Sequence, residues 1–228
     1  MKGSSKLIVA LDLPTLNEAR GYLDEVGDLL PFIKIGPVLF FQGGRSFLEE
    51  IMARGHRVFL DLKLHDIPNT VALGVEALAD MGLWALTVHT GGGRAMMEAA
   101  AKAKGEMMLL GVTVLTSLND RQWDEVHPRC SMTEALEARA RSADKAGLDG
   151  IVCSPRDLSA LRPLTSLLTI VPGIRPVQGG DDQARTASPR AAVAGGADYL
   201  VVGRPLLFAQ DRRLAIEAIV NEIEEGLS

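Results

Sequence analysis

The chain has 228 residues, of which 47% are apolar and 23% are charged, as in ordinary globular proteins. Its net charge of −5 and its scattered basic residues argue against nucleic acid or an anionic membrane as a partner. The apolar run at 7–11 is too short for a signal peptide, and no run approaches a membrane span. Cys130 and Cys153 lack metal-ligand spacing. We therefore expect one domain over 1–228, free thiols and a cytoplasmic location.

Short β-rich runs alternate with amphipathic helical patterns along the chain. Strands are predicted at 7–13, 32–35, 58–62, 85–89, 108–115, 150–153, 168–171 and 199–202. Helices are predicted at 16–30, 47–54, 71–81, 95–104, 133–146, 188–194 and 211–226. Eight strand-then-helix units with apolar strands predict an α/β protein whose parallel sheet closes into a (β/α)8 TIM barrel. An open, doubly wound sheet is the alternative.

Each predicted strand is followed by polar or glycine residues. In chain order these are Asp12, Lys34, Asp61 with Lys63, His89, Thr116 with Ser117, Ser154, Gly173 with Arg175, and Gly203 with Arg204. The carboxyl ends of barrel strands converge on one mouth, where the active sites of such barrels lie. The pattern therefore predicts a polar site at the mouth.

The stretch 61–70, Asp-Leu-Lys-Leu-His-Asp-Ile-Pro-Asn-Thr, carries the strongest chemical signal. Residues two apart on a strand share a face, so Asp61 and Lys63 are expected to lie together, with the neighbouring leucines on the other face. Asp66 follows, where Pro68 turns the chain into a helix. An isolated Asp-x-Lys pair is equally well explained as a salt bridge. The additional charges of Asp66 and Lys34 favour a proton-handling or anion-stabilising site.

The ends of strands seven and eight predict a phosphate site. Gly203 allows close approach of a ligand to the backbone, and Arg204 offers a planar fork of donors for phosphate oxygens. Barrels often bind phosphate at this position. The polar loop at 177–183 could close over the ligand through Gln178 or Gln183. A surface turn with a solvated arginine is the alternative for each part.

These motifs closely resemble the orotidine 5′-monophosphate decarboxylase family. The similarity rests on the stretch 61–70 and on the segments 10–12, 34–36, 87–89, 112–117, 172–176, 182–183 and 202–205, so it covers essentially the whole chain. The resemblance implies a homodimeric (β/α)8 enzyme, without cofactor or metal, that converts orotidine 5′-monophosphate to UMP.

The resemblance also implies roles for individual residues. Lys34, Asp61, Lys63 and Asp66 would form a charged catalytic network, and Asp66, Ile67 and Thr70 would reach the site of the neighbouring subunit. The remaining substrate contacts would come from Asp12 and Lys34 at the ribose, Thr116 and Ser117 at the pyrimidine, and Arg175, Gln183, Gly203 and Arg204 towards the phosphate. Pro172 would be a further substrate contact.

The predicted chemistry centres on Lys63. Loss of CO2 leaves a carbanion at C6 of the pyrimidine, and a fixed ammonium group would stabilise that charge and then donate the proton. Asp61 would lie near the departing carboxylate. We expect structural roles for His65, His89 and Cys153, and the segment 91–94 is not assigned. Two alternatives remain: a magnesium-dependent keto-gulonate phosphate decarboxylase or hexulose-phosphate synthase, and a phosphate-binding barrel without catalysis.

Overall fold

The computed structural model describes residues 3–176 and 186–228 of the chain. Its eight strands are β1 (Leu7–Ala10), β2 (Phe32–Ile35), β3 (Arg57–Leu64), β4 (Ala85–His89), β5 (Met108–Val112), β6 (Gly150–Val152), β7 (Leu168–Val171) and β8 (Tyr199–Val202). All neighbours pair in parallel and in chain order, and β8 pairs with β1 to close the barrel. The predicted (β/α)8 barrel is confirmed, and the open sheet is excluded.

The helices pack around the outside of the barrel. They are α1 (Leu16–Val26), α2 (Pro37–Ala53), α3 (Pro68–Ala79), α4 (Arg94–Ala103), α5 (Asp120–Val126), α6 (Met132–Lys145), α7 (Leu158–Leu161), α8 (Pro189–Ala194), α9 (Arg204–Leu207) and α10 (Arg212–Gly226). Within the described ranges, none of these helices is long and apolar enough to cross a membrane.

The barrel interior follows the two-residue period of the strands. Alternate side chains point inward and form a buried apolar layer of Ile8, Ala10, Phe32, Phe59, Ala85, Leu110, Ile170 and Val201. Trp84 and Tyr199 pack against this layer, with their ring centroids 5.0 Å apart. The layer fills the barrel interior, so a ligand site has room only above it. The inward positions that follow, nearer the carboxyl ends of the strands, include charged residues.

Three differences from the sequence prediction concern the bounds or the presence of elements. Helix α2 begins at Pro37, ten residues earlier than predicted, because Pro37 opens a first segment that is separated from the rest by a kink at Gly44 (φ 54°, ψ −147°). Strand β3 continues to Leu64, past the predicted end. Helices α5, α7 and α9 were not predicted, since segments of four to seven residues are too short to show helical periodicity.

Candidate active site

A cavity of about 380 Å³ opens at the carboxyl ends of the strands. Nine of the predicted site residues line it: Asp12, Lys34, Asp61, Lys63, Thr116, Pro172, Arg175, Gly203 and Arg204. They come from the ends of six different strands, and the closed barrel is what brings them together. The predicted polar mouth is therefore present.

The deeper wall of this cavity is apolar. Ala10, Phe59, Val112, Val152 and Val201 contribute to its lining. These residues were not predicted as part of the site, although each lies at an inward-pointing position of its strand. Their presence means that a ligand in the cavity would meet charges around the rim and hydrocarbon beneath, a setting in which electrostatic interactions are stronger than in water.

Four side chains form a continuous chain of alternating charge. Lys34 Nζ lies 3.1 Å from Asp12 Oδ1 and 3.4 Å from Asp61 Oδ2. Lys63 Nζ lies 2.8 Å from the same Oδ2 of Asp61. The side chains of Lys34 and Asp61 are only 11% and 12% exposed, whereas that of Lys63 is 38% exposed. Lys63, at the end of this chain, is therefore the more accessible of the two lysines, and both line the cavity.

The carboxyl group of Asp61 is held as a carboxylate. Burial acts to raise its pKa, but the charges of Lys34 and Lys63 and the hydrogen bonds from Lys63 and Thr87 act in the opposite direction. The net effect places the pKa of Asp61 below its ordinary value. The negative charge between the two lysines is therefore stable at neutral pH.

Thr87 supports this group from the adjacent strand. Its hydroxyl donates a hydrogen bond to Asp61 Oδ1 over 2.9 Å and accepts one from the backbone N–H of Lys63 over 2.8 Å. Thr87 lies in the segment 87–89, which resembles the family, but no role was predicted for it. The two-residue period of the strand could have placed its side chain inside the barrel, because Thr87 lies two residues beyond the inward-pointing Ala85.

Four predicted residues lie away from the cavity lining in the described part of the chain. Asp66, Ile67 and Thr70 are exposed, and the carboxylate of Asp66 accepts a hydrogen bond from the N–H of Ile67 over 2.6 Å. Ser117 is also exposed and, unlike its neighbour Thr116, does not contribute to the lining. Within one chain, the predicted charged network therefore contains Asp12 in place of Asp66.

The two candidate phosphate-contacting glutamines, Gln178 and Gln183, lie outside the described residues. The backbone on either side is described: Ile174 and Ala187 form a parallel bridge, and Arg175 N donates to Ala187 O over 3.0 Å. This bridge fixes the backbone of Arg175 at the rim of the cavity, on the same side as Gly203 and Arg204 of the last strand.

His89 has a structural role at the end of β4. Its Nδ1 accepts a hydrogen bond from the N–H of Gly91 over 3.1 Å, and its ring stacks on that of His65 with centroids 5.1 Å apart. Burial is the main reason that the pKa of His89 falls to about 4, with additional contributions from the positive charges around it. His89 is thus neutral at physiological pH, and it caps the short 3-10 turn Thr90–Gly92 that leads into α4.

Cys153 lacks the setting of a nucleophile, because burial raises the pKa of its thiol well above its ordinary value. Cys130 is exposed. Across 3–176 and 186–228, no group of three or more His, Cys, Asp or Glu side chains is arranged to hold a metal ion.

Comparison with known proteins assigns a family. Residues 5–219 match the model of the orotidine 5′-phosphate decarboxylase / HUMPS family. An orotidine 5′-phosphate decarboxylase of Rhodopseudomonas palustris is 46% identical over 96% of this chain and 93% of its own, and one of Halorhodospira halophila is 44% identical over 97% of each. The crystal structure of the Lactobacillus acidophilus enzyme superposes with a TM-score of 0.83 at 37% identity, covering 95% of this chain and 98% of the other. The chain therefore belongs to the orotidine 5′-phosphate decarboxylase / HUMPS family.

Proposed function

We propose that this chain decarboxylates orotidine 5′-monophosphate to uridine 5′-monophosphate in the cavity at the barrel mouth, with Lys63 protonating C6. This reaction is the last step of de novo UMP synthesis, and the named relatives carry the same activity in their names. The observation that carries the proposal is the charge chain Asp12–Lys34–Asp61–Lys63, which ends in an ammonium group at the cavity.

The chemistry needs a fixed positive charge beside C6. When the bond between C6 and the carboxylate breaks, its electron pair stays on C6 in the plane of the ring. An ammonium group stabilises this charge and then transfers a proton to C6, which leaves a neutral amine that solvent reprotonates. The 2.8 Å contact with Asp61 orients the Lys63 side chain before the substrate arrives.

Asp61 acts on the substrate as well as on Lys63. Its carboxylate lines the cavity next to Lys63, so a substrate carboxylate at C6 would lie close to a like charge. The repulsion is relieved as neutral CO2 departs. The apolar wall formed by residues such as Val112 and Val152 suits uncharged CO2 better than a carboxylate, which favours the same direction of reaction.

The opposite rim supplies the phosphate side of the site. Arg175 and Arg204 both line the cavity, and Gly173 and Gly203 provide places where a phosphate can approach the backbone. Thr116 and the exposed Ser117 are assigned to the pyrimidine, and Asp12 with Lys34 to the ribose hydroxyls. Pro172, which also lines the cavity, is a further substrate contact. Gln183 remains part of the proposed phosphate contacts. Binding energy from the phosphate is then available to support the transition state at C6.

A homodimer with shared sites completes the proposal. Asp66, Ile67 and Thr70 are exposed and do not line the cavity of their own chain, and Ile67 is 65% exposed although it is apolar. Leu73, six residues after Ile67 and within α3, is also 56% exposed. Exposed apolar side chains near an exposed carboxylate are what a second subunit would cover and use. Asp66 would then join the charge network of the neighbouring subunit.

We also propose the domain organisation, the cellular setting and the cofactor requirement of the chain. We infer one catalytic domain over residues 1–228, which the family match over 5–219 supports. A reducing, cytoplasmic setting is supported by the two free thiols. Activity without metal or cofactor is proposed because the ammonium group of Lys63 supplies the charge stabilisation that a metal ion would otherwise provide.

The test is turnover after removal of metal. The protein is produced in cells that lack their own decarboxylase, treated with EDTA, and incubated with orotidine 5′-monophosphate while the ultraviolet absorbance of the orotate ring is followed. We expect the absorbance to fall and UMP to form. No turnover by the folded protein, together with activity on sugar phosphates that requires Mg²⁺, would contradict the proposal and assign the chain to the magnesium-dependent branch.

A further inference from the structure

Lys63 occupies an irregular position in β3. Strand β3 pairs with β4 through Leu60 and Leu86 and pairs again through Leu64 and Val88, so four steps along β3 match two along β4. Within this bulge Lys63 has a φ of 51°, and it is the one non-glycine residue with a positive φ among those described. A residue with a Cβ disfavours this conformation, so the surrounding contacts must hold it in place.

Thr87 makes those contacts. The bulge removes the backbone N–H of Lys63 from the ladder, and the hydroxyl oxygen of Thr87 accepts it over 2.8 Å. The same hydroxyl donates to Asp61 Oδ1, while Asp61 Oδ2 accepts from Lys63 Nζ over 2.8 Å. The backbone and the ammonium group of Lys63 are thus both connected to one carboxylate in a closed ring of hydrogen bonds. Thr87 itself is completely buried.

We propose that Thr87 is a positioning residue of the decarboxylation, which holds the Lys63 bulge and the Asp61 carboxylate in the geometry that proton transfer to C6 needs. The inference rests on the proposed function of Lys63. Thr87 is absent from the described lining of the cavity, so it would act through Lys63 and Asp61 without touching the substrate. A shift in the aim of a catalytic group by about 1 Å is enough to lower a rate substantially.

The decisive variant is Thr87→Val, which removes the hydroxyl and keeps the branched shape. It leaves the Lys63 N–H and one oxygen of Asp61 without their partner in a buried place. We expect kcat to fall about 10- to 100-fold, the range typical for loss of a hydrogen bond to a charged group. The Kd for UMP should change less than about threefold, since the phosphate contacts lie on other strands. Thr87→Ser restores the hydroxyl and should recover kcat to within about threefold of the wild type.

Thr169→Val is the matched control. Thr169 is buried in β7, and its hydroxyl also accepts from a backbone N–H and donates to a carboxylate, both belonging to Asp198. It lies near the amino end of its strand, away from the mouth. This variant should lose stability, with kcat unchanged. The same loss of kcat in Thr169→Val and Thr87→Val, or no rescue by Thr87→Ser, would overturn the inference, as would full kcat in Thr87→Val.

Amide hydrogen exchange provides a readout that does not depend on turnover. A peptide that contains Lys63 should exchange faster in Thr87→Val than in the wild type or in Thr87→Ser, because its N–H has lost its acceptor. Unchanged exchange would overturn the positioning role even if kcat fell. If the wild-type protein itself fails to decarboxylate orotidine 5′-monophosphate, the proposed function is wrong, and the exchange result still decides whether Thr87 holds Lys63.

Discussion

The Nζ of Lys63 lies 2.8 Å from Oδ2 of Asp61, two residues earlier on the same strand. Lys63 lies within the bulge of β3 and has a positive φ, so this contact is made from an irregular stretch of the strand. The same oxygen of Asp61 lies 3.4 Å from Lys34. One buried carboxylate therefore separates two ammonium groups at the mouth of the barrel.

Asp61 should stabilise the fold in a pH-dependent way. The groups that face it are Lys34, Lys63 and the hydroxyl of Thr87, and together they lower its pKa against the effect of burial. A carboxyl group with a lowered folded-state pKa stabilises the protein above its unfolded pKa of about 3.9, and this contribution is lost as the pH falls through the folded pKa. Asp61→Asn should therefore cost about 2 kcal/mol at pH 7, less than for a fully buried pair because Lys63 is partly exposed.

Denaturant unfolding of the wild type and Asp61→Asn at several pH values measures this contribution. The free-energy difference between the two proteins should be constant at neutral pH and should shrink below about pH 4. Other carboxylates titrate equally in both proteins, so their effects cancel in the difference. A difference that is independent of pH would show that the charge of Asp61 does not stabilise the fold.

Loss of Arg204 should weaken phosphate binding. Arg204 lies at the cavity after β8, and a charge-assisted hydrogen bond from its guanidinium would be removed in Arg204→Ala. We expect the Kd for UMP to rise about 10- to 100-fold and the Kd for uridine, which has no phosphate, to remain the same. Isothermal titration calorimetry measures both constants.

Arg121→Ala is the control for Arg204→Ala. The side chain of Arg121 is 90% exposed on α5, so its loss removes the same charge from a solvated position. Its effect on the binding of UMP should be negligible. Equal weakening of uridine and UMP binding by Arg204→Ala would place Arg204 elsewhere than at the phosphate.

Much of the barrel mouth could be predicted from the sequence, because the end of each strand is marked by the polar or glycine residues that directly follow an apolar run. Four strands, at 32–35, 85–89, 168–171 and 199–202, were predicted with the observed bounds. Once eight parallel strands close into a barrel, the residues that follow them must meet. Lys34 and Asp61, 27 positions apart in the chain, are thus brought to 3.4 Å by topology alone.

Features that depend on pairing between strands could not be predicted in the same way. The bulge at Lys63 results from the mismatch of β3 with β4, and nothing in the alternation of 60–64 indicates it. The role of Thr87 follows from that bulge. Asp66 was predicted in the charged network, but within one chain its exposed carboxylate only accepts a hydrogen bond from the N–H of Ile67.

Mixed dimers should reveal whether Asp66 serves the neighbouring subunit. Lys63→Ala and Asp66→Asn are each expected to be inactive as homodimers. After they are unfolded together and refolded at equal concentrations, half of the dimers are mixed, and one of the two sites in each mixed dimer has both residues intact. About a quarter of the wild-type activity should return.

One outcome of the mixed-dimer experiment would contradict a shared site. If Asp66 acts in the site of its own chain, every site in a mixed dimer lacks either Lys63 or Asp66, and no activity returns. Refolding each variant alone under the same conditions gives the background. Size-exclusion chromatography of the wild-type protein, which should elute as a dimer, checks that subunits associate at the concentration used.

Comparison of Lys63→Ala with the wild type tests the central claim most directly. The rate of metal-free decarboxylation of orotidine 5′-monophosphate should fall by about a thousandfold or more, since both the charge beside C6 and the proton donor are removed. UMP should still bind, and Lys102→Ala, a change of an exposed lysine on α4, should leave the rate unchanged. Near-normal decarboxylation by folded Lys63→Ala would contradict the account.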